Sequence, residues 1–321
     1  MDKERRQEEG KLVTKRIVIF LALTFGIAYL VEIGGLYPLY RQITDQENYD
    51  VMSTFNSLLS FSLFVPAISA LLTRLITREG VRGQNLYLDP NTKGNGKYYL
   101  FSWFGVVGLS FAGSIVYYIM YPAHFDFDFG YVAAVYEAAG QVMTREEVRQ
   151  TVLLEYLSGI FIAPIFSLLT CFGEEWGFRG YLLPMLLKKF KVIPTLFISG
   201  IIWGLWNIPL VVMGYNYGEE YAGYPYAGIL AMCLYCIVMG IVFSFLCIRT
   251  GSCIPAIIAH AALNGFAGTG NLPLAAGVEL NAFIGPKPTG VMGGLGFIIA
   301  AAVMLALLIR ERHEIKSSQK A

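Results

Sequence analysis

The stretch that decides the fold is TCFGEEWGFRGYLL, residues 170–183. It places Glu174, Glu175 and Arg179 inside a run that is otherwise apolar. The apolar pattern continues beyond these charges as far as Lys188. In a helix that rises 1.5 Å per residue, Glu174 lies 14 residues, or about 21 Å, from Lys188. Because a bilayer core is roughly 30 Å thick, the sequence predicts that these charges lie inside the membrane.

The composition of the whole chain agrees with a location in the lipid bilayer. Of its 321 residues, 55% are hydrophobic and 15% are charged, and the mean hydropathy is +0.55. These values are typical of a polytopic membrane protein and differ from those of a soluble domain. The net charge of +1 gives no basic field that would attract nucleic acid, so no nucleic-acid partner is expected.

Long uncharged stretches recur along the chain, and a helix needs roughly 20 apolar residues to cross a bilayer. Eight such stretches lie at 17–31, 51–73, 98–123, 156–173, 192–218, 221–248, 250–278 and 288–309. The first is short unless Glu32 lies near an interface or faces protein. The sequence therefore predicts an all-α polytopic membrane protein with about eight transmembrane helices, in one domain over residues 1–321.

The positions of lysine and arginine predict which side of the membrane each segment faces. With the N-terminus inside, 20 basic residues fall in cytoplasmic segments and four fall outside. The four are Arg41, Arg145, Arg149 and Lys287. Because cytoplasmic segments are enriched in basic residues, we expect both termini in the cytoplasm. Residues 1–16 and 310–321 are then the cytoplasmic N-terminal segment and tail.

The longest external segment, residues 122–150, contains a signal for a helix start. Thr144 and Glu147 have the Thr-x-x-Glu spacing of a capping box. We therefore expect a helix to begin at Thr144, as an ordinary surface or lid helix.

Two further polar motifs fall at a depth similar to that of Glu174. Asn207 lies 16 residues, about 24 Å, from Lys191, and His260 lies 11 residues, about 16 Å, from Arg249. Asn264 follows His260 by four residues, so both side chains share one helix face. The sequence thus predicts that three spans each present a polar face within the membrane.

Ionisable groups at such a depth cost roughly 2.5–3.5 kcal/mol each, so they normally face a cavity or one another. Glu175 and Arg179 are four residues apart and can pair on one helix face. An internal network that only fixes helix packing therefore explains this pair as well as a functional site does. Glu174 has no obvious partner along its own helix, which favours a functional role. His260 combined with Asn264 and the carboxylates becomes a candidate for chemistry.

Hydrolysis is the chemistry that this set of side chains supports. A carboxylate in a dry pocket can act as a general base toward water and then as a general acid toward the leaving amine. Histidine and asparagine can donate hydrogen bonds to a developing oxyanion.

A divalent metal such as zinc is short of ligands in this sequence. If a metal binds, Glu174 and His260 are the candidate ligands, since both residue types bind zinc. The chain has no His-Glu-x-x-His motif, however, and the other two histidines, His124 and His313, fall in the external loop and the cytoplasmic tail. No cofactor is therefore certain.

These motifs resemble the CPBP family, the CAAX-processing and bacteriocin-processing intramembrane proteases, also called the Abi or type II CAAX endopeptidase family. The family pattern Glu-Glu-x-x-x-Arg occurs as EEWGFR, residues 174–179, and the pattern His-x-x-x-Asn occurs as HAALN, residues 260–264. The resemblance covers about residues 152–270, which it marks as the catalytic core.

The resemblance implies a cavity that opens to the cytosol, in which Glu174 activates water. It also implies that Glu175 and Arg179 organise the site and that His260 and Asn264 hold the oxyanion. Family substrates are prenylated C-terminal tails in eukaryotes and peptides or membrane proteins in bacteria.

One residue departs from the family pattern. Where the family has an aromatic residue followed four positions later by histidine, this chain has Trp203 and Asn207. Asparagine can donate a hydrogen bond, but it cannot exchange a proton near neutral pH as imidazole does. Activity therefore depends on whether the family histidine exchanges protons or only positions water or the oxyanion.

Three functions follow as alternatives. The first is an intramembrane endopeptidase, and the second is a family member without proteolytic activity that acts as a membrane scaffold or regulator and binds a membrane partner. The third is a transporter or channel, since buried Glu, Arg and His side chains also form proton or substrate paths. Against transport, the chain shows neither an internal repeat nor a matched pair of broken helices. The basic cytoplasmic ends and the absence of an evident sorting signal suit a bacterial plasma membrane.

Overall fold

A computed structural model describes residues 3–43, 49–80, 83, 85–88 and 94–318. Within these ranges the protein is helical, and its only β-type pairing is an isolated bridge between Phe125 and Leu274. The predicted all-α class is therefore confirmed. Arg82, Lys93 and Lys320, which are three of the basic residues predicted to be cytoplasmic, lie outside the described residues.

The α-helices of the described chain differ widely in length. They are α1 (Lys3–Val31), α2 (Tyr37–Ile43), α3 (Tyr49–Ile76), α4 (Gly96–Leu100), α5 (Val106–Met120), α6 (Gly130–Ala138), α7 (Arg145–Phe161), α8 (Ala163–Glu175), α9 (Leu183–Lys189), α10 (Val192–Trp206), α11 (Ile208–Val212), α12 (Tyr226–Thr250), α13 (Ile254–Phe266) and α14 (Leu295–Ser318). Segments of π-helix lie at Glu32–Leu36, Phe101–Gly105 and Trp176–Leu182, and 3₁₀-helices lie at Pro122–His124 and Ala267–Asn271.

Several helices are long and apolar enough to cross a membrane. Among the described residues there are four, Gln7–Ile43, Asp50–Ile76, Gly96–Met120 and Tyr226–Thr250. A fifth span results if α7 and the helix Ala163–Lys189, which meet at a bend of 40°, cross the membrane together. The protein is therefore a polytopic membrane protein. The count of eight spans and the cytoplasmic position of both termini stay predictions.

Two of the predicted spans contain shorter helices than their apolar stretches suggest. In the stretch 192–218, α10 ends at Trp206, and α11 starts beyond Asn207 with Pro209 in its first turn. Proline has no backbone N–H and crowds the preceding turn, which explains the break. In the stretch 250–278, α13 ends at Phe266 and a 3₁₀-helix follows it.

The helix that carries the paired glutamates is continuous from Ala163 to Lys189. It passes from α8 through the π-helix Trp176–Leu182 into α9 without interruption. The structure therefore confirms that the helix runs on past Glu174 to the basic residues, as the apolar pattern predicts.

The chain separates into two compact units that each combine distant parts of the sequence. The first unit contains Met1–Asp89, Leu169–Ile257 and Met304–Ala321, and the second contains Pro90–Leu168 and Ile258–Val303. The single domain over residues 1–321 stays a prediction.

In the first unit, glycines allow α10 and α12 to approach closely. A Cβ atom added at Gly200 would lie 2.6 Å from the Cα of Ile237, and one added at Gly204 would lie 2.6 Å from the Cα of Cys233. Real Cβ atoms do not approach backbone atoms this closely, so these positions exclude larger residues. Small residues serve the same purpose at other membrane helix interfaces.

In the second unit, α7 begins with the predicted capping box. The Thr144 hydroxyl accepts a hydrogen bond from the backbone N–H of Glu147, whose carboxylate accepts one from the Thr144 backbone N–H. Val148 and Val152 of α7 pack with Val132 of α6 in a small apolar cluster. The expectation of a helix start at Thr144 is confirmed.

Candidate active site

The paired glutamates lie where an α-helix changes to a π-helix. Glu174 and Glu175 end α8, and all seven residues of the following π-helix, Trp176–Leu182, are buried. Wider π-helical turns occur frequently at functional sites. The backbone beside them is held tightly against α3, since a Cβ atom at Gly173 would lie 2.6 Å from the carbonyl oxygen of Leu63.

Glu175 and Arg179 form a buried ion pair, as their spacing predicts. Arg179 Nη1 donates a hydrogen bond of 3.0 Å to Glu175 Oε1, and both side chains are 0% exposed. Hydrogen bonds between two charged groups are shorter and stronger than those between neutral groups. The pair therefore holds the Glu175 carboxylate in a fixed position in the protein interior.

Aromatic rings from two other helices enclose the Arg179 guanidinium. Its Cζ lies 4.3 Å from the ring centroid of Trp203 on α10 and 5.6 Å from that of Phe243 on α12. A guanidinium within about 6 Å of an aromatic face is attracted to it electrostatically. On α12, a Cβ atom at Gly240 would lie 3.2 Å from Arg179 Nη2, so the absent side chain leaves the space that the guanidinium occupies.

Trp203 also binds the other carboxylate. Its indole Nε1–H donates a hydrogen bond of 3.0 Å to Glu174 Oε2, and Glu174 is 5% exposed. Trp203 thus contacts Glu174 through its indole N–H and Arg179 through the face of its ring. Sequence reasoning placed Trp203 on the face of Asn207 but did not predict this contact, because the partner of Glu174 comes from another helix.

Asn207 lies at the break between α10 and α11 and is half-buried. Its Nδ2 donates a hydrogen bond of 2.9 Å to the Trp203 carbonyl oxygen and lies 4.0 Å from Cys236 Sγ. The amide therefore supports the turn of α10 that presents Trp203 to the carboxylates.

The other two predicted site residues belong to the second unit. His260 and Asn264 lie four residues apart on α13, where His260 is 5% exposed and Asn264 is exposed. A Cβ atom at Gly265 would lie 2.6 Å from Pro164 Cδ, so α13 approaches the start of α8 closely. The predicted meeting of His260 and Asn264 with the carboxylates stays a prediction.

A third carboxyl group, which sequence reasoning did not assign to the site, interacts with Glu174. Glu32 begins the π-helix Glu32–Leu36, is 0% exposed and accepts a hydrogen bond from the Ser62 hydroxyl. Glu32 and Glu174 interact electrostatically. The signal in the sequence was a lone acid at the end of a short apolar stretch, and the structure shows that this acid faces protein.

No group of three histidine, cysteine, aspartate or glutamate side chains in the described part of the chain is arranged to hold a metal ion. The assignment of Glu174 and His260 as candidate zinc ligands stays a prediction.

The fold and these side chains define an all-α polytopic membrane protein with a buried Glu-Glu-Arg set. Residues 156–266 match the family model described as Type II CAAX prenyl endopeptidase Rce1-like, and this segment contains all six predicted site residues. A similar protein from Methanococcus maripaludis, named CAAX prenyl protease 2, is 31% identical over 147 residues, which are 45% of this chain and 50% of that protein.

The chain thus spans about half the length of the curated relative that it matches. The two comparisons confirm the resemblance predicted from the motifs: the segment 156–266 is similar to Rce1-like CAAX prenyl endopeptidases.

Proposed function

We propose that this protein is an intramembrane endopeptidase of the CAAX type that cleaves a peptide or membrane-protein substrate by means of glutamate-activated water. The observation that carries the proposal is the position of Glu174. It is buried, it accepts a hydrogen bond from Trp203, and it neighbours the Glu175–Arg179 ion pair within the segment that matches the Rce1-like family.

In the proposed reaction Glu174 acts first as a base and then as an acid. Its carboxylate takes a proton from water while the water oxygen forms a bond to the scissile carbonyl carbon, and the carbonyl oxygen becomes an oxyanion. The C–N bond then breaks, and the proton on Glu174 passes to the leaving nitrogen. The products are a new carboxyl terminus and a free amine, so atoms and charge balance.

The surrounding residues hold Glu174 in place for this reaction. The indole N–H of Trp203 fixes one carboxylate oxygen, and the Trp203 ring is itself packed against the Arg179 guanidinium. Glu175 keeps that guanidinium oriented. The roles of His260 and Asn264 as donors to the oxyanion follow from the family resemblance.

The test is cleavage by full-length protein in lipid nanodiscs, with a fluorogenic farnesylated peptide that ends in a CAAX sequence and an unprenylated peptide as probes. Glu174→Gln should reduce cleavage by at least about 10²-fold, since positioned acid–base groups contribute that much. Glu137→Gln, which changes an exposed carboxyl group on α6, is the matched control and should cleave like the wild type. Unchanged cleavage by a folded Glu174→Gln variant would overturn the assignment.

Asn207 supports a second candidate function, that of a membrane scaffold or regulator that binds a membrane partner without cleaving it. The Asn207 amide donates to the Trp203 carbonyl oxygen, and asparagine does not exchange protons near neutral pH. If the missing imidazole limits catalysis, Asn207→His should raise turnover of the farnesylated peptide. A folded Asn207→His variant without any gain, combined with an inactive wild type, would favour the scaffold.

We place the protein in a bacterial plasma membrane with both termini cytoplasmic, on the strength of its basic-residue distribution. Reporter fusions at the C-terminus and within residues 122–150 test this orientation. Cytoplasmic signal from the C-terminal fusion alone is the expected result, and the reverse pattern would contradict it.

A further inference from the structure

The π-helix beside the paired glutamates contains a carbonyl group that lacks its usual helical donor. In an α-helix, the Gly180 carbonyl oxygen would accept a hydrogen bond from the backbone N–H four residues later. That residue is Pro184, which lies in the first turn of α9 and has no N–H. Gly180 is buried, and buried backbone carbonyl groups are normally hydrogen-bonded. A donor from elsewhere in the chain therefore stabilises this position.

Asn85, in the segment that follows α3, supplies such a donor. Its side-chain Nδ2 donates a hydrogen bond of 3.0 Å to the Gly180 carbonyl oxygen, across 95 residues of sequence. This distance is close to the most frequent value for N–H···O hydrogen bonds in proteins. The Asn85 amide thus takes the place of the backbone N–H that Pro184 lacks.

The backbone of Asn85 binds a second element. Its φ of +52° lies in the left-handed region, which asparagine tolerates better than most residues. In this conformation its carbonyl oxygen accepts a hydrogen bond of 2.8 Å from the Cys253 backbone N–H and one of 3.2 Å from the Ser252 hydroxyl. Cys253 directly precedes α13. Asn85 therefore joins the helix of the glutamates to the start of α13.

The beginning of the same segment is also held against the π-helix. Near the end of α3, the buried Arg74 donates hydrogen bonds of 3.1 Å and 3.0 Å to the carbonyl oxygens of Gly80 and Gly83. Its Cζ lies 5.2 Å from the ring centroid of Tyr181, within range of a cation–π attraction. Tyr181 in turn donates a hydrogen bond of 3.1 Å to Glu79. These contacts fix the backbone that presents Asn85.

The position of Gly180 in the chain connects this hydrogen bond to the candidate active site. Gly180 directly follows Arg179, which donates a hydrogen bond to Glu175 and contacts the face of the Trp203 ring. Trp203 donates a hydrogen bond to Glu174. A shift of the backbone at Gly180 would therefore move the guanidinium against which Trp203 is packed.

We propose that Asn85 is a positioning residue of the active site. Its amide completes the hydrogen bonding of the Gly180 carbonyl group and thereby fixes the part of the π-helix that carries Arg179. The inference rests on the proposed function, since the position of Arg179 affects cleavage only if Glu174 activates water. Tethering of the segment after α3 is a separate role, which the backbone carbonyl group of Asn85 performs.

Asn85→Gly separates these two roles. Glycine lacks the amide donor, adopts a positive φ without strain and keeps the carbonyl group that binds Cys253. We expect kcat for the farnesylated peptide to fall about 10-fold with KM little changed, because one hydrogen bond that positions the reacting groups is lost. Asn216→Gly is the matched control, since Asn216 is exposed and also has a left-handed backbone, with a φ of +71°. It should cleave like the wild type, whereas an Asn85→Gly variant with wild-type kcat would overturn the proposal.

A double-mutant cycle with Pro184→Ala tests whether the Gly180 carbonyl group is the point of action. Alanine restores a backbone N–H four residues after Gly180, so the helix can supply the donor itself. In the Pro184→Ala background, Asn85→Gly should therefore lower kcat by no more than about twofold. A role in tethering alone would give the same loss in both backgrounds. Independent effects of the two substitutions on kcat would overturn the proposal.

Hydrogen exchange of backbone amides, measured by mass spectrometry on full-length protein in nanodiscs, reports on the π-helix without substrate. Asn85→Gly should accelerate exchange in peptides that cover residues 176–189, because the helix opens more readily without the Asn85 hydrogen bond. The double variant Asn85→Gly/Pro184→Ala should exchange more slowly than Asn85→Gly, and Asn216→Gly should match the wild type. Unchanged exchange in Asn85→Gly would contradict the proposed contact.

The measurements also distinguish the two proposals. A wild type that cleaves neither peptide but shows the expected exchange pattern contradicts the proposed function and leaves the role of Asn85 in the π-helix supported. A wild type that cleaves, together with an Asn85→Gly variant of equal kcat and equal exchange, contradicts the role of Asn85 alone. Thermal unfolding verifies that each variant is folded. Asn85→Asp, which keeps the size of the side chain and loses its N–H donors, is a second variant for which the same loss of kcat is expected.

Discussion

Two acid–arginine clusters in this protein have similar geometry and very different surroundings. Arg179 and Glu175 are 3.0 Å apart, and both side chains are 0% exposed. In the second unit, Arg145 and Arg149 lie 3.3 Å and 3.2 Å from the Asp128 carboxylate, and the three side chains are 80%, 54% and 39% exposed. The distances alone would suggest equal importance.

The difference in burial changes what each cluster contributes. A surface ion pair gains little, because water screens the charges and two mobile side chains must be ordered. A buried pair loses its hydration, and removal of one partner leaves an uncompensated charge. Removal of one partner from the Glu175–Arg179 pair should therefore destabilise the fold much more than removal of one partner from the Asp128 cluster.

The largest effect on stability is expected from Arg179→Met. It leaves Glu175 buried without its ion-pair partner, and such a loss costs about 3–5 kcal/mol. Chemical unfolding in detergent micelles, monitored by tryptophan fluorescence, measures the change. The double variant Glu175→Gln/Arg179→Met removes both charges and should recover part of the lost stability.

A small effect of Arg179→Met on the free energy of unfolding would contradict the comparison between the two clusters. If Arg179→Met unfolds with nearly the same free energy as the wild type, the pair is hydrated or otherwise compensated, and its burial does not set its contribution. If the double variant is no more stable than Arg179→Met, the loss comes from guanidinium packing against Trp203 and Phe243 rather than from the unpaired Glu175.

A smaller loss is expected from Gly204→Ala, which tests whether close packing of α10 and α12 holds the buried cluster. The new Cβ atom would lie 2.6 Å from the Cα of Cys233, so the helices must separate. Overpacking of this kind costs about 1–3 kcal/mol, and it displaces the neighbouring Trp203, so cleavage should also fall.

Gly26→Ala is the matched control for this change. Gly26 lies in α1 with no atom within 4 Å of an added Cβ, so this substitution should leave stability and cleavage close to wild-type values. Equal stability and cleavage of Gly204→Ala and Gly26→Ala would show that the α10–α12 contact accommodates an added methyl group and does not position Trp203.

The sequence predicts the buried cluster better than its connections between helices. Glu175 and Arg179 pair because their spacing along one helix is local and the apolar run around them excludes water. The contact of Glu174 with Trp203 joins residues 29 positions apart. It depends on how α10 packs against the helix of the glutamates, which periodicity within one helix does not specify.

The helix lengths were predicted less well, for a related reason. An apolar stretch records burial in lipid or protein but not the path of the backbone, so the break after Trp206 depends on Pro209 and the end of α13 at Phe266 has no strong signal. Glu32 was recognised as an unusual acid beside an apolar stretch. Its interaction with Glu174 required the fold, because Ser62 and Gly173 come from separate helices.

The smallest effect is expected from Arg149→Ala at the exposed cluster. Asp128 keeps Arg145 as a second partner, and an exposed ion pair contributes about 0–1 kcal/mol. The change in unfolding free energy should shrink further when ionic strength is raised, because salt screens exposed charges. Comparison of Arg149→Ala with the wild type at low and high salt checks this. A loss as large as that of Arg179→Met, unaffected by salt, would mean that the Asp128 cluster is buried against something else, and the contrast between the two clusters would fail.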